Sequence, residues 1–240
     1  MIVESDDLGV LFIIPSSIEQ NEKVSFLLDE QKKLLHNIKY FIVENEKIAR
    51  KTIKEFGLKF DIQSVMLFKY NNKTKNNDLK EYFEPILNGS DMGLISDSGS
   101  PCIADPGSKI VEYAHLNNIQ IKPLVGPSSI ILSLMASGFN GQKFKFHGYI
   151  PIDKNDKELY IKKMMESIKE EQETQIFIET PYRNNKLLTD IMKIDNDSLK
   201  LCVATNLTDT NQTITSKTIK QWHQNKIPDL SKKLCIFLLN

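Results

Sequence analysis

Two clusters of small, hydroxyl-bearing and turn-forming residues carry the clearest chemical signal in this 240-residue chain. The first is Ser96-Asp97-Ser98-Gly99-Ser100-Pro101 with Asp105-Pro106-Gly107 just beyond, and the second is Gly126-Pro127-Ser128-Ser129. Each terminates an apolar run of strand composition, Gly93 to Ile95 and Ile119 to Val125. A strand that stops in Gly, Ser, Pro and Asp leaves backbone N–H groups and hydroxyls pointing outward. In an open parallel sheet ligands sit at the carboxyl ends of the strands, so the clusters read as two walls of one small-molecule site. Metal chemistry has no comparable support: His36, His115, His147 and His223 form no HExxH spacing, and Cys102, Cys202 and Cys235 form no CxxC. The first strand ends in Pro15-Ser16-Ser17-Ile18-Glu19, without the GxGxxG of ordinary dinucleotide binding.

The elements that must carry these clusters alternate between strand and helix patterns. Strands are expected at Val10 to Ile14, Tyr40 to Val43, Ser64 to Phe68, Gly93 to Ile95 and Ile119 to Val125. Helices are expected between them at Asn21 to His36, Lys47 to Phe56, Asn77 to Leu87 and Ser108 to Leu116. This alternation implies an α/β fold with a mostly parallel five-stranded sheet covered on both faces. Past Gly126 the pattern loosens into helices at Ser128 to Ala136, Lys157 to Glu170 and Asn185 to Met192. Strands follow at Lys143 to Gly148, Gln175 to Ile178, Leu199 to Ala204 and Leu234 to Leu239, with a Thr-rich hairpin at Thr205 to Thr218. A second domain with a mixed sheet accounts for this, giving residues 1–124 and 125–240.

Charge balances at 31 basic against 31 acidic residues. Residues 1–125 hold 15 basic and 18 acidic, the remainder 16 and 13, a mild asymmetry. It neither requires nor forbids a nucleic-acid partner, because phosphate binding needs a local basic face rather than a basic total. The scattered cysteines, two of them inside apolar runs, suit reduced structural thiols and a cytoplasmic setting. Glu4, Asp6 and Asp7 precede the first apolar run, which does not suit a signal peptide. No apolar run approaches the roughly 20 residues of a membrane span.

The motif series resembles the tetrapyrrole methylase superfamily. It runs Ser-Asp-Ser-Gly-Ser-Pro and Ala-Asp-Pro-Gly (Ser96 to Gly107), Pro-Leu-Val-Gly-Pro-Ser-Ser (Pro123 to Ser129) and Ser-Gly-Phe (Ser137 to Phe139). Phe-x-Gly-Tyr-Ile-Pro (Phe146 to Pro151) and Glu-Thr-Pro-Tyr-Arg (Glu179 to Arg183) complete it. Within that superfamily the chain is most similar to the branch that methylates a ribose 2'-hydroxyl of small-subunit ribosomal RNA. The resemblance covers nearly the whole chain. It implies a two-domain α/β methyltransferase, usually a homodimer, that folds S-adenosylmethionine into a cleft between residues 1–124, the acceptor side, and residues 125–240. By motif position Ile18, Ser98, Gly99, Ser100, Ile103, Ser128, Ser129, Glu179 and Leu207 would line that cleft. No metal is needed, since the leaving group is already activated.

For a hydroxyl acceptor a base would help, and Asp97 and Glu179 are the carboxylates inside the motifs. An Asp in a Gly/Ser turn also caps backbone amides, and Glu179 fits an orienting role. Arg183 could hold the acceptor or simply pair with a carboxylate. His147 fits a hydrogen-bonding role; Tyr182 and Trp222 could stack on a base, and Trp222 equally suits the edge of the core. Two loops depart from the ribosomal branch. Pro15-Ser16-Ser17-Ile18-Glu19-Gln20 stands where that branch carries Pro-Thr-Pro-Ile-Gly-Asn, and Glu44-Asn45-Glu46-Lys47 stands for Glu-Asp-Thr-Arg. The departures touch the acceptor side and leave the cofactor motifs intact. They keep open a small-molecule methyltransferase or a noncatalytic relative that binds the cofactor.

Overall fold

The computed structural model describes residues 8–18, 26–57, 64–74 and 79–240. The chain divides into two compact units, Met1–Ser128 and Ser129–Asn240. The division falls after Ser128 rather than after Leu124, because the segment past Val125 still belongs to the first unit. A Cβ placed on Gly126 would lie 2.1 Å from Pro15 Cγ, and Ser100 Oγ donates to Pro127 O at 3.0 Å.

In the first unit, β1 (Val10–Ile14), β2 (Tyr40–Val43), β3 (Met66–Lys69), β4 (Met92–Ile95) and β5 (Gln120–Pro123) form a sheet in the order β3-β2-β4-β1-β5. All four pairings are parallel, with Phe12 opposite Gly93 and Ile42 opposite Leu94. Strand alternation splits the apolar residues between two faces. Phe12, Ile14, Phe41 and Val43 pack with Leu35, Ile38 and Ile53, whereas Leu11, Ile42, Met92 and Leu94 pack with Phe83, Ile86 and Ile110. Gly93 lets the strands close tightly: a Cβ there would meet Phe41 Cδ1 at 2.5 Å and Ile14 Cδ1 at 2.6 Å.

The covering helices are α1 (Asp29–Leu35), α2 (Glu46–Glu55), α3 (Leu79–Tyr82), α4 (Glu84–Leu87) and α5 (Ser108–Leu116). Asn45 caps α2, its Oδ1 accepting from Lys47 N at 3.0 Å and Ile48 N at 3.4 Å. Two expected helices are shorter than the periodicity suggests. Helix α1 begins at Asp29 because Leu28 is extended, with ψ at 152°, and its N–H is taken by the Gln31 side chain. Glu19 to Lys23 and Val24 lie outside the described residues. The helix expected from Asn77 breaks at Phe83, since Pro85 has no N–H to continue the ladder; Asn77 is likewise outside the described residues.

In the second unit β6 (Phe144–Tyr149), β7 (Thr174–Ile178), β8 (Lys200–Thr205), β9 (Thr213–Thr218) and β10 (Cys235–Leu239) form a sheet in the order β6-β7-β10-β8-β9. The β6–β7 pair is parallel and the rest antiparallel, so the sheet is mixed. On one face α6 (Ser129–Ser137) packs Ile130 and Leu134 against Ile176, Cys202 and Ile236. On the other, α7 (Lys154–Glu171), α8 (Asn184–Ile191) and α9 (Ile219–His223) cover Phe177, Leu201 and Phe237. The Thr-rich segment supplies one arm of a hairpin rather than both: β8 is the first arm, and Thr205 faces Thr213 across the loop. Trp222 is 2% exposed and donates from Nε1 to Leu201 O at 2.9 Å, a core residue with no free face for stacking.

Candidate functional site

In the first unit the loops that follow β4, β1 and β5, three neighbouring strands, are tied to one another at their carboxyl ends. Ser16 N donates to Gly99 O at 2.9 Å and Ser16 Oγ to Ser96 O at 2.9 Å. Ser98 Oγ donates to Ile18 O at 3.1 Å, and Ser100 Oγ to Pro127 O at 3.0 Å. Gly99, at φ +68°, sits where an added Cβ would approach Pro127 O at 3.6 Å and Ile18 Cγ1 at 3.8 Å. Ile18, Ser98, Gly99, Ser100 and the chain leading into Ser128 thus come together from segments far apart in sequence. The hydroxyls hold the loops and keep lone pairs for a ligand; the absent side chain at Gly99 leaves backbone accessible.

The next turn of the same loop is strained. Cys102 (φ 70°) and Ala104 (φ 64°) both take the left-handed conformation, flanking Ile103, which is 52% exposed. Asp105 maintains this: its carboxylate accepts from Cys102 N at 2.9 and 3.0 Å and from Gly107 N at 2.7 Å. Strain that the surroundings hold in place is a feature of ligand-contacting loops.

Asp97 does not stand alone. Glu44 follows β2, the strand next to β4, and its Oε1 accepts the Asp97 N–H at 3.3 Å. Burial raises the Glu44 carboxyl above its ordinary value, opposed by that hydrogen bond and reinforced by the charges of Asp105 and Asp97. Burial likewise raises Asp97, against a hydrogen bond from the Asn45 backbone and with the Asp105 charge adding to it. Asp105 is also raised by burial despite its backbone donors. Proton affinity shifted in this direction suits acceptance of a proton from a hydroxyl. Glu44 and Asp105 are the residues that sequence reasoning did not single out as partners of Asp97. Only the sheet order makes Glu44 its neighbour.

In the second unit Glu179 follows β7. Its Oε1 accepts from Thr180 N and from Arg183 Nη2, both at 2.6 Å, and Arg183 is the N-cap of α8. The pairing alternative for Arg183 is therefore present in the structure. Thr180 Oγ1 and Arg183 Nε are buried without a hydrogen-bond partner among the described residues, and both residues line a pocket of about 490 Å³ with Tyr149, Pro151 and Tyr160. Leu207 lies in the core beside Ile130, one residue past Ser129. His147 is held at both ring nitrogens, by Tyr160 Oη at 2.9 Å and Gln175 Oε1 at 2.6 Å. Burial disfavours the charged ring and lowers its pKa, against the hydrogen bond to Gln175. Among the described residues no three His, Cys, Asp or Glu side chains are grouped to hold a metal.

Comparison with known proteins agrees with this architecture. The sequence pattern described as Tetrapyrrole (Corrin/Porphyrin) Methylases matches residues 23–222. A protein of Thermotoga maritima named ribosomal RNA small subunit methyltransferase I is 27% identical over 79% of this chain and 80% of its own. Proteins of the same name from Buchnera aphidicola subsp. Baizongia pistaciae and Bacillus subtilis are 30% and 28% identical over 78% and 80% of this chain. The aligned region spans about three fifths of the length of these two, 60% and 61%. Two solved structures share the fold, each with a TM-score of 0.61. The methyltransferase CobJ is 14% identical, with 97% of this chain and 93% of that one covered; the cobalt precorrin-4 methyltransferase CbiF is 10% identical, with 100% and 98% covered. The chain belongs to the tetrapyrrole (corrin/porphyrin) methylase family.

Proposed function

We propose that the chain transfers a methyl group from S-adenosylmethionine to a ribose 2'-hydroxyl of small-subunit ribosomal RNA. The observation that carries the cofactor half is the lacing of Ile18, Ser98, Gly99 and Ser100 around Pro127. Small residues, a glycine at positive φ and hydroxyl lone pairs fit the amino-acid end and the adenine of that cofactor. Ser128, Ser129, Ile103, Glu179 and Leu207 complete the proposed set. The ribosomal acceptor rests on the names of relatives that align over most of this chain.

S-adenosylmethionine supplies a methyl already activated on a sulfonium, so the protein's task is chiefly alignment. Asp97, with its raised proton affinity, is the group proposed to take the hydroxyl proton, and Glu44 orients the Asp97 backbone. A cytoplasmic homodimer is part of the same reading. The thiols of Cys102, Cys202 and Cys235, unpaired and pushed up to about 12 by burial, suit a reducing compartment. No described helix is long and apolar enough to cross a membrane, and exposed Ile131 and Met135 on α6 suit contact with a second copy. Light scattering should give twice the chain mass.

Calorimetry with S-adenosylmethionine should give binding that Ser100→Trp abolishes; binding unaffected by that substitution would refute the placement of the site. Ribose-methylation maps of ribosomal RNA with and without the gene test the acceptor. An unchanged map alongside intact cofactor binding would turn the reading to a small-molecule acceptor or a noncatalytic binder.

A further inference from the structure

A second site-like feature of the second unit lies between α7 and α8. Helical spacing puts Lys154, Lys157, Ile161, Lys162 and Met165 on one stripe of α7, while Lys186 and Asp190 stand one turn apart on α8, with Lys193 just past its end. Together they enclose a groove of about 580 Å³ with an apolar floor and lysine walls.

The charges do not cancel. Lys157 is buried and pairs with Asp190 at 2.8 Å, so Asp190 is spent on the groove's own framework. Burial acts to raise the Asp190 carboxyl, yet the bond to Lys157 and the charges of Lys157, Lys193 and Lys186 hold it below its ordinary value. Lys154 lies 3.8 Å from Glu158. Lys162 and Lys186 have no ion-pair partner among the described residues, and Lys193 shares Asp190 at 3.8 Å. Five lysines against two carboxylates leave an excess of three positive charges, on a chain whose total is zero. Such a local excess over an apolar floor is an electrostatic footprint for a polyanion.

The groove has a direction. Ile152 lines it and also lines the pocket of Tyr149, Thr180 and Arg183. That pocket is lined by Thr180 and Arg183, the latter paired with Glu179, and Tyr149 is 60% exposed at its rim.

We infer that the α7–α8 groove is a phosphate track for ribosomal RNA, with Lys162, Lys186 and Lys193 as backbone contacts and the Tyr149–Arg183 pocket as its continuation past Ile152. This rests on the RNA acceptor proposed above. Lysines that hold phosphates act without sequence preference and make binding salt-dependent.

The test is filter binding of in vitro transcribed small-subunit ribosomal RNA to the wild-type chain and to K162E/K186E/K193E across a salt series. The triple variant should bind at least tenfold more weakly at about 0.1 M salt. Its slope of log K against log salt should be shallower by about 2, as expected for three lost single-strand phosphate contacts. Lys→Arg at the same three positions should keep the affinity. K220E/K226E/K232E, an equal charge change at exposed sites that do not line the groove, should bind as wild type. Calorimetry with S-adenosylmethionine, unchanged in every variant, verifies folding.

If the groove variant binds RNA as tightly as wild type, or the control variant loses as much, the track is wrong and an acidic protein becomes the better occupant. If the wild-type chain binds the cofactor but no RNA, the acceptor reading itself fails, and the track with it.

Discussion

Asp105 organises the loop after β4 at the cost of a buried charge: it accepts from Cys102 N and Gly107 N while burial raises its pKa. Asp105→Ala should cost about 2 kcal/mol in urea denaturation, since charged acceptors of backbone N–H groups are worth roughly 1.5–3 kcal/mol. It should also weaken S-adenosylmethionine binding, because the left-handed turns at Cys102 and Ala104 lose their tether. Asp97 has a pH signature. Its pKa is raised in the fold, so the stability it contributes is fully present below its ordinary value of 3.8 and is lost as pH rises through the folded value. Asp97→Asn should therefore raise the urea midpoint at pH 7 relative to that at pH 4, compared with the wild type. As the proposed base, its loss should lower kcat by about 10²–10⁴ with cofactor binding retained; unchanged kcat would leave Asp97 a turn residue. The sequence marked Asp97 and the Ser/Gly cluster because turn chemistry is local. It did not mark Glu44 as a partner, because the two residues are 53 positions apart and meet only through strand order.

At the scale of elements, alternation and turn residues were enough to mark where each strand lies, and Val10–Ile14, Tyr40–Val43 and Ser108–Leu116 coincide with their expected ranges. Failures came where one local interaction overrode periodicity: the Gln31 bond at Leu28 and the proline at 85. The Thr-rich arm was legible as strand, yet its partner was not, since pairing depends on residues outside the segment. Helix α9 shows how a polar helix earns its position. Thr218 Oγ1 accepts from Gln221 N and the Gln221 side chain returns the bond, a capping box that points Trp222 into the core. Trp222→Ala should cost about 3–5 kcal/mol in chemical denaturation. Trp222→Phe should recover part of that while still losing the bond to Leu201 O.

Across the whole molecule the two units respond to pH in opposite senses. Glu44, Asp97 and Asp105 in the first are raised by burial, and their stability is lost as pH rises. In the second unit Asp190 is lowered, with the Lys157 bond outweighing burial; Glu173 is lowered by the Gln175 and Ser167 bonds; and Asp229 falls to about 2 through bonds from Asn185 and Ser231. Their contribution is present above the ordinary values of 3.8 and 4.5 and is lost as pH falls below them. Acidification from pH 4.5 toward 2 should thus lower the melting transition of the second unit selectively. Trp222 is the chain's single tryptophan and reports that unit alone, so its fluorescence transition should fall further than the one seen by far-ultraviolet circular dichroism. Equal shifts would contradict the assignment. By itself the sequence determined the α/β alternation, the two small-residue clusters and the family motifs, because strand period, glycine freedom and turn preference act over a few residues. Only the tertiary structure decided that Glu44 meets Asp97, that three loops close on Gly99, and that lysines of α7 and α8 form one charged groove. Sheet order and helix packing join residues whose separation along the chain leaves no local trace, and a net charge of zero conceals how its parts are distributed.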